Sequence, residues 1–397
     1  MVDKEKQLKV LTISSLYPNN VKPTFGIFVE NRLLELVHTG KIDSKVIAPV
    51  AHFPLLNKVS AQYKASACIK TKERRNNVDV LHPRYLHFPV IGMLLQPFLL
   101  ALTLYISIKK LLKKGWACDV IDAHFFYPDG VAAMLVGKWL KKPVVITARG
   151  TDINEYTKLK LPRMMIKWAA NNASKNITVS DALNAKLCDV GVSVDKVTTL
   201  RNGVDLNKFT MADNLSVLRS RLGLKKTTIV SVGNLVELKG HRYIIEAMTN
   251  IPNAELYIFG DGPLEAELKA VAKRADVNER VFFCGRLGQA ELIERYQSAD
   301  VLVLASSREG WPNVLLESLA CGTPVVATNV GGCPEVLKDP MVGKLCNRTV
   351  AHITECISEL LDNLPSKTAC RIYAESFSWN ETTEEQLAIF NQSTGQY

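Results

Sequence analysis

The sequence lacks the features that mark several classes of protein. Its 397 residues contain no short-period repeat and no low-complexity segment. The nine cysteines are scattered and form no C-x-x-C pair, which argues against a disulfide framework and a zinc site. We expect them to be small buried residues of a protein in a reducing cytosol. Residues 1–9 are polar and charged, so no signal peptide is expected there.

Negative charge is scarce in the first half of the chain. Residues 1–200 carry 29 Lys and Arg against 15 Asp and Glu, a net charge of +14, whereas residues 201–397 carry 20 against 24, a net charge of −4. This split predicts an anionic partner for the first half. No basic-aromatic module or helix-turn-helix pattern indicates a nucleic acid. An anionic membrane surface fits better; a basic solubilising surface without a partner is the alternative.

The apolar fraction of 47% is ample for two packed cores. Short β-branched runs alternate with helix-length segments in both halves, which predicts an α/β protein with two doubly wound parallel sheets. The expected strands of the first half are residues 9–13, 45–48, 119–122, 143–147 and 176–179. Those of the second half are residues 228–232, 255–259, 280–283, 301–305 and 324–327.

Residues 88–108 are uncharged and about long enough to span a bilayer. Pro89, Gly92, Gln96 and Pro97 interrupt the first half of this segment, so we do not expect a transmembrane helix. We expect a helix from about Pro97 to Lys114 that ends in Lys109, Lys110, Lys113 and Lys114. An apolar stem with a lysine-rich end is typical of an interfacial helix. A core helix with a cationic last turn explains the pattern nearly as well.

The most informative segment is residues 309–317, which read EGWPNVLLE. It follows the expected strand 301–305, so Glu309 should lie on the loop at the carboxyl end of the sheet. Pro312 marks the start of a helix that carries Glu317. The first-turn N–H groups of Asn313, Val314 and Leu315 lack helical partners and could meet a phosphate. Two glutamates with structural or solvated roles are the alternative interpretation.

With this E-x7-E motif the chain resembles the retaining, nucleotide-sugar-dependent glycosyltransferases of the GT-B fold, of the bacterial mannosyl- and glucosyltransferase type. The resemblance covers nearly the whole chain and includes, in order, residues 17–26, 122–124, 148–152, 179–181, 201–205, 232–240, 259–263 and 331–335. It implies two Rossmann-like domains, residues 1–204 and 205–373, facing a central crevice. Residues 374–397, with a helix at about Thr382–Gln392, would cross back onto the first domain.

In this family the loop that holds Lys239 supplies an Arg and a Lys to the donor diphosphate. Lys239 matches the Lys, whereas Asn234 stands where the family has Arg. We expect Arg286, Arg242 or helix N-termini to compensate. The resemblance places Glu309 at the sugar hydroxyls, Glu317 at the ribose, and the backbone around Cys284, Gly285 and Arg286 at the base. Gly331 and Gly332 should let the backbone pass beside the nucleotide.

In the first domain, His124 ends the strand at 119–122, and the family places a histidine at this position against the donor sugar. Gly26 matches the early loop that closes over phosphate and acceptor. Arg149 stands where the family usually has His. We expect Asp152 to orient an acceptor hydroxyl or pair with a base, unless it is only a helix N-cap.

The sequence therefore predicts a glycosyltransferase that moves a sugar from a nucleoside diphosphate to a glycan or lipid-linked saccharide in envelope or extracellular polysaccharide biosynthesis. Lys239 and helix N-termini would stabilise the departing diphosphate. No D-x-D pair lies on a plausible site loop, so neither a cofactor nor an essential metal is expected. We expect a cytoplasmic enzyme peripherally bound to the membrane. A catalytically silent nucleotide-sugar-binding scaffold and a nucleotide-sugar epimerase are the alternatives.

Overall fold

The computed structural model of the protein describes residues 7–52, 61–88 and 92–395. The chain divides into two compact units. The first unit comprises Met1–Arg201 and Asn380–Tyr397, and the second comprises Asn202–Trp379. The domain limits predicted from the sequence lie after residues 204 and 373.

The described part of the first unit is built on an eight-stranded sheet in the order β10-β9-β8-β7-β1-β2-β5-β4. Its pairings are parallel except for β4, which runs antiparallel to β5 at the edge. A separate pair, β3 and β6, is parallel. The strands are β1 (Leu8–Ile13), β2 (Ile42–Ile47), β3 (Val50–His52), β4 (Lys72–Arg75), β5 (Val78–Leu81), β6 (Arg84–Leu86), β7 (Val120–His124), β8 (Val144–Ala148), β9 (Lys175–Thr178) and β10 (Val197–Thr199).

The second unit has a six-stranded parallel sheet in the order β13-β12-β11-β14-β15-β16. Its central strands are buried on both faces, which explains their continuous apolar sequences. The strands are β11 (Thr227–Val232), β12 (Ala254–Phe259), β13 (Val281–Phe283), β14 (Val301–Leu304), β15 (Val325–Thr328) and β16 (Gly343–Cys346). Every strand predicted from the sequence is present, within a few residues at each end.

Helices connect the strands in both units. Those in the first unit are α1 (Ile27–His38), α2 (Ala61–Ala67), α3 (Gly92–Lys113), α4 (Val131–Leu140), α5 (Thr151–Asn154), α6 (Lys160–Asn172) and α7 (Asp181–Asp189). Those in the second are α8 (Leu215–Arg221), α9 (His241–Ala247), α10 (Glu265–Arg274), α11 (Gln289–Ser298), α12 (Asn313–Ala320), α13 (Cys333–Val336), α14 (Val350–Asp362) and α15 (Lys367–Glu375). The last helix is α16 (Trp379–Thr394).

Residues 380–394 of α16 belong to the first unit. Phe390 lies in the apolar core that β1, β2 and α1 share. Gln386 accepts a hydrogen bond from Nε of the buried Arg32 at 2.6 Å, and Thr382 donates to the carbonyl of Arg201 at 2.7 Å. Both apolar packing and buried polar contacts therefore fix this C-terminal segment on the first unit.

The predicted start of α3 at Pro97 is wrong, because the helix begins at Gly92 and includes Pro97. Proline has no N–H to donate to the carbonyl four residues earlier, here that of Met93. The hydroxyl of the buried Tyr127 donates to the Met93 carbonyl instead. The unpaired acceptor is thereby satisfied, which lets the helix continue through the proline. Pro89 lies outside the described residues.

Within the described residues, Met93–Lys113 forms one helix that is long and apolar enough to cross a membrane, by length and composition alone. Only 33% of its most apolar window is buried in the protein. A helix in the middle of a soluble core would be covered on most of its surface.

The expectation that all cysteines are buried is wrong for three of them. Cys68 and Cys284 are exposed and Cys188 is half-buried, whereas the other six are buried. All nine are free thiols.

Candidate functional site

The loops of the second unit that carry the predicted donor-site residues meet at one edge of its sheet. Strands β13, β12, β11, β14 and β15 are parallel neighbours, so the segments that follow them lie side by side. These segments hold Arg286, Asp261, Asn234, Lys239 and Glu309. The structure therefore brings together residues that lie far apart in the sequence.

Lys239 and Glu309 form the centre of this edge. The ammonium of Lys239 lies 2.6 Å from Oε1 of Glu309, and the hydroxyl of Ser306 donates to the same oxygen at 2.6 Å. Both charged side chains are largely buried, with 21% and 12% of their surface exposed. A carboxylate held by a cation and a hydroxyl has a fixed position, which is what contact with sugar hydroxyls requires.

Two glycines allow the loops around this pair to pack closely. Gly331 has a φ of +53°, and a Cβ there would lie 1.9 Å from the carbonyl oxygen of Glu309. Gly240 has a φ of +65°, and its Cβ would lie 2.1 Å from the carbonyl oxygen of Ala305. Gly331 was expected to let the backbone pass a nucleotide. The close approach in the structure is to the Glu309 backbone, and passage of Gly331 beside a nucleotide stays a prediction.

Arg286 occupies the space beside Asn234. Its Nη2 donates to Oδ1 of Asn234 at 3.1 Å, and its Nε and Nη2 form a bidentate pair with Asp261 at 3.1 and 2.6 Å. The guanidinium of Arg286 therefore lies against Asn234, which stands where the family has Arg. Arg242, the second candidate arginine, pairs with Glu246 on the exposed side of α9.

Gly285 precedes this arginine with a φ of +69°. A Cβ there would meet nothing within 4 Å, so the backbone conformation rather than crowding favours glycine. The carbonyl of Gly285 accepts from the N–H of Gly260 at 2.8 Å. Base recognition at residues 284–286 stays a prediction.

The first turn of α12 differs from expectation. The N–H of Asn313 donates to the carbonyl of Trp311 at 3.1 Å, and that of Leu315 donates to Pro312 at 3.0 Å. The prediction of three free donors at Asn313, Val314 and Leu315 is therefore wrong for two of them. The tight turn that follows Trp311 satisfies these groups within the chain.

Glu317 is half-buried and accepts a hydrogen bond from the hydroxyl of the buried Tyr296 at 3.0 Å. Burial raises the pKa of Glu317 to about 7, although the Tyr296 hydrogen bond and the charge of Lys208 favour its ionised form. The carboxyl group therefore titrates near neutral pH. Its proposed contact with the ribose stays a prediction.

In the first unit, His124 lies in a buried polar cluster and is only 1% exposed. Arg149 Nη2 donates to its Nδ1 at 2.6 Å, since a guanidinium has only donors, and Nε2 therefore carries the proton that bonds Asp122 at 2.9 Å. Burial, reinforced by the charge of Arg149, lowers the pKa of His124 to about 4, against the opposing effect of Asp122. The histidine is neutral at pH 7 and fixes the position of Arg149.

Asp152 makes its hydrogen bonds within the chain, and orientation of an acceptor hydroxyl by this residue stays a prediction. The side chain is completely buried, and its oxygens accept from the N–H groups of Phe126, Arg149 and Gly150 at 2.8 to 3.2 Å. Burial raises the pKa of the Asp152 carboxyl, and these hydrogen bonds oppose the shift. Asp152 thus holds the loop that carries Arg149.

Gly26 is also explained by a contact within the chain. Its φ is +67°, and a Cβ would lie 2.3 Å from the carbonyl oxygen of Leu16. The glycine therefore allows residues 16–17 to pack on the start of α1. A role in closing over phosphate and acceptor stays a prediction.

Two further residues, one buried and one that bridges two loops, were not predicted from the sequence. Asp129 is fully buried and accepts from both the N–H and the hydroxyl of Ser15, at 2.8 and 2.7 Å, and burial raises its pKa to about 7. Arg348 donates to the carbonyls of Ala305 and Glu237, at 3.0 and 2.7 Å, and so links the loops of Glu309 and Lys239. Neither residue stands in a motif, so only tertiary contacts reveal them.

Two family models match the chain. The model of glycosyl transferases group 1 matches residues 218–377, which include the Lys239–Glu309 pair, and that of Glycosyltransferase Family 4 matches residues 72–208. An uncharacterized glycosyltransferase of Methanocaldococcus jannaschii is 35% identical over 297 residues, which cover 68% of this chain and 75% of the relative. The chain belongs to the glycosyl transferases group 1 family. It is therefore a glycosyltransferase, as the sequence predicted.

This glycosyltransferase is also similar to a relative from Bacillus subtilis and to a solved structure from Anabaena. It is 29% identical over 331 residues to TuaC of Bacillus subtilis, whose name assigns it to teichuronic acid biosynthesis; the match covers 82% of each chain. The structure of Anabaena HepE in complex with UDP-glucose superposes with a TM-score of 0.70 at 18% identity, over 96% of this chain and 100% of that one. This likeness confirms the predicted GT-B fold with its two Rossmann-like domains.

Among residues 7–52, 61–88 and 92–395, no group of three or more His, Cys, Asp and Glu side chains is placed to hold a metal ion. Donor binding without an essential metal stays a prediction.

Proposed function

We propose that this glycosyltransferase retains the anomeric configuration and transfers a hexose from a nucleoside diphosphate to a hydroxyl of a lipid-linked saccharide. The observation that carries the donor assignment is the Lys239–Glu309 pair at the carboxyl edge of the second sheet, beside Arg286. The UDP-glucose bound by HepE supports a nucleotide sugar as donor. The name of TuaC supports an envelope polysaccharide as product.

Glu309 orients the sugar hydroxyls, and Lys239 with Arg286 faces the diphosphate. In the reaction the bond between C1 and the phosphate oxygen breaks, and its electron pair stays on the diphosphate. The acceptor oxygen forms the new bond to C1 on the same face, and its proton passes to the leaving phosphate oxygen. The two cations stabilise the growing negative charge, which is usually the largest contribution to this kind of catalysis.

We assign acceptor binding to the first unit, with Arg149, held by His124 and Asp152, as its polar anchor. Since the first 200 residues carry a net charge of +14, we propose that this unit also meets the anionic cytoplasmic face of the membrane. No cofactor and no essential metal is part of the proposed mechanism.

A panel of UDP-, GDP- and ADP-sugars tests the donor assignment. Thermal shift should identify the one nucleotide that binds. Without added acceptor, slow hydrolysis of the matching nucleotide sugar should release that nucleotide. Binding without any hydrolysis or transfer, in the wild type, would favour a silent scaffold. A changed sugar on an intact nucleotide would instead identify an epimerase.

Glu317→Gln is expected to weaken binding of the identified nucleotide sugar by about tenfold, because two ribose hydroxyls lose a charged acceptor. Wild-type affinity should fall as the pH drops below about 7, where Glu317 becomes protonated; the variant should show no such change. A nucleotide sugar suits this titration because it lacks the terminal phosphate that titrates near pH 6. Calorimetry between pH 5.5 and 8.5 measures both effects.

The same residue predicts an opposite trend in the stability of the free protein. A carboxyl with a raised pKa contributes stability below its unfolded value, and that contribution is lost as the pH rises through about 7. The wild type should therefore lose more stability than Glu317→Gln between pH 5 and 8. If the free energy of unfolding changes with pH equally in the wild type and in Glu317→Gln, Glu317 does not titrate in this range.

A further inference from the structure

The first unit contains a cavity of about 700 Å³ beside the second half of α3. Its walls are strands β2, β4 and β5 and one flank of α3. Five cationic side chains line it, and we call it the basic pocket: Lys45, Lys72, Arg84, Lys110 and Lys114. None of these residues belongs to the donor site or to the cluster around His124.

The charge of the basic pocket is strongly unbalanced. The carboxylate among its lining residues is Asp79, which lies 2.7 Å from the ammonium of Lys45; this contact lowers the pKa of Asp79. Lys72, Lys110 and Lys114 are exposed. Four positive charges are thus left in excess around a concave space, which attracts an anion with several oxygens.

The basic pocket adjoins an exposed apolar surface on α3. Five side chains, which we call the apolar stripe, are 40 to 54% exposed: Leu94, Leu95, Phe98, Leu102 and Ile106. At 100° per residue they fall within an arc of about 120° on one side of the helix. Ile106 also lines the basic pocket, so the apolar and cationic surfaces are continuous.

An aromatic side chain extends this surface. Trp139 of α4 is 51% exposed, and its ring meets that of Tyr105 on α3 edge-on at 5.8 Å. The ammonium of Lys109 lies over the Tyr105 ring at 5.6 Å. Exposed tryptophan and tyrosine beside lysine are typical of surfaces that lie at the headgroup level of a bilayer.

We propose that the basic pocket binds the phosphate headgroup of an anionic glycerophospholipid while the apolar stripe lies at the acyl boundary of the same bilayer. This inference rests on the membrane association of the proposed function and adds a defined headgroup site to it. A second copy of the chain is a poorer occupant, since pairing two stripes would bring two cationic pockets together.

Lysines inside and outside the basic pocket give a matched test. Lys110 and Lys114 line the basic pocket, whereas Lys225 and Lys273 are exposed residues of the second unit. Lys110→Gln/Lys114→Gln should raise the apparent Kd for vesicles of phosphatidylcholine with phosphatidylglycerol by tenfold or more. Lys225→Gln/Lys273→Gln removes the same charge and should raise the Kd less than about threefold. Cosedimentation measures both.

A second matched pair lies on β4. Lys72 lines the basic pocket and Arg74, two residues further on the same strand, does not. Lys72→Gln should therefore weaken vesicle binding several-fold and Arg74→Gln should not. If the control variants lose as much vesicle binding as the pocket variants in both comparisons, binding depends only on overall charge. That result would overturn the headgroup site while leaving membrane association intact.

The apolar stripe is tested separately. Phe98→Ser/Leu102→Ser should abolish the vesicle binding that remains in high salt, whereas Ile372→Ser, at a 62% exposed position of the second unit, should not. If the wild type binds no anionic vesicle, the proposed membrane association itself is wrong. Binding of inorganic phosphate to the basic pocket, without any preference for vesicles, would overturn the lipid assignment, as would dimers that bury the stripe in solution.

Discussion

Glu309→Gln is expected to lower kcat by about two orders of magnitude while the affinity for the nucleotide stays within about twofold of the wild type. Positioning and charge effects at a reacting centre are worth roughly 3 kcal/mol, which corresponds to this loss. Glutamine keeps the shape and one oxygen for Ser306 and Lys239. It removes the negative charge that we assign to the sugar, where positive charge would develop at C1 during the proposed reaction.

The contact with Lys239 explains why nucleotide affinity should survive. In the free protein the ammonium lies 2.6 Å from Glu309. If Lys239 binds the diphosphate as proposed, the carboxylate competes with it for the same cation. Glutamine weakens that competition, and nucleotide binding should be unchanged or slightly tighter. Steady-state kinetics and calorimetry on the same preparation separate the two quantities.

Glu237→Gln is the matched control. Glu237 lies on the same loop as Lys239, its side chain is 75% exposed, and its carboxylate makes only a 3.7 Å ion pair with Arg348. Its removal should leave kcat within about twofold. A Glu309→Gln variant that loses nucleotide binding but keeps turnover would contradict the assignment of Glu309 to the sugar.

The strands show what sequence patterns can and cannot predict. Val301–Leu304 is buried on both faces, so an apolar run alone identified it. Strand β4, with the sequence KERR, lies at the sheet edge with alternating exposed side chains, and no apolar pattern marks it. Such a strand is specified by its antiparallel partner β5, a contact that the sequence does not display.

Single residues were harder to interpret than elements. The sequence correctly indicated that Gly26 and Asp152 were special, but it could not distinguish a ligand from the chain's own backbone as the partner. In the structure, backbone atoms of Leu16 and Phe126 fill these roles. Only the spatial neighbours of a residue decide between the two interpretations.

The topology of the second sheet brings Arg286 and Asn234 together. The two residues are 52 positions apart and follow strands β13 and β11, which both flank β12. The sequence left three candidates for the missing cation, Arg286, Arg242 and helix N-termini. The structure places the guanidinium of Arg286 against Asn234 and directs Arg242 towards Glu246.

Arg286→Gln is therefore expected to lower kcat/KM by roughly ten- to hundredfold, because a charge-assisted contact to a phosphate is worth roughly 1.5–3 kcal/mol. Asn234→Arg alone should change activity by less than about threefold, since its guanidinium would enter a place that already holds one. Combined, the two changes should restore most of the lost activity by returning a single guanidinium to the diphosphate from the other loop.

The double variant makes this assignment testable beyond simple loss. Arg221→Gln is the control for removing an exposed, ion-paired arginine, since Arg221 pairs with Glu294 at 2.9 Å on the second unit, and it should leave kcat/KM unchanged. If Asn234→Arg/Arg286→Gln folds but remains as slow as Arg286→Gln, the two side chains do not serve the same phosphate. Recovery would show that the diphosphate requires a guanidinium at this place, whichever of the two loops supplies it.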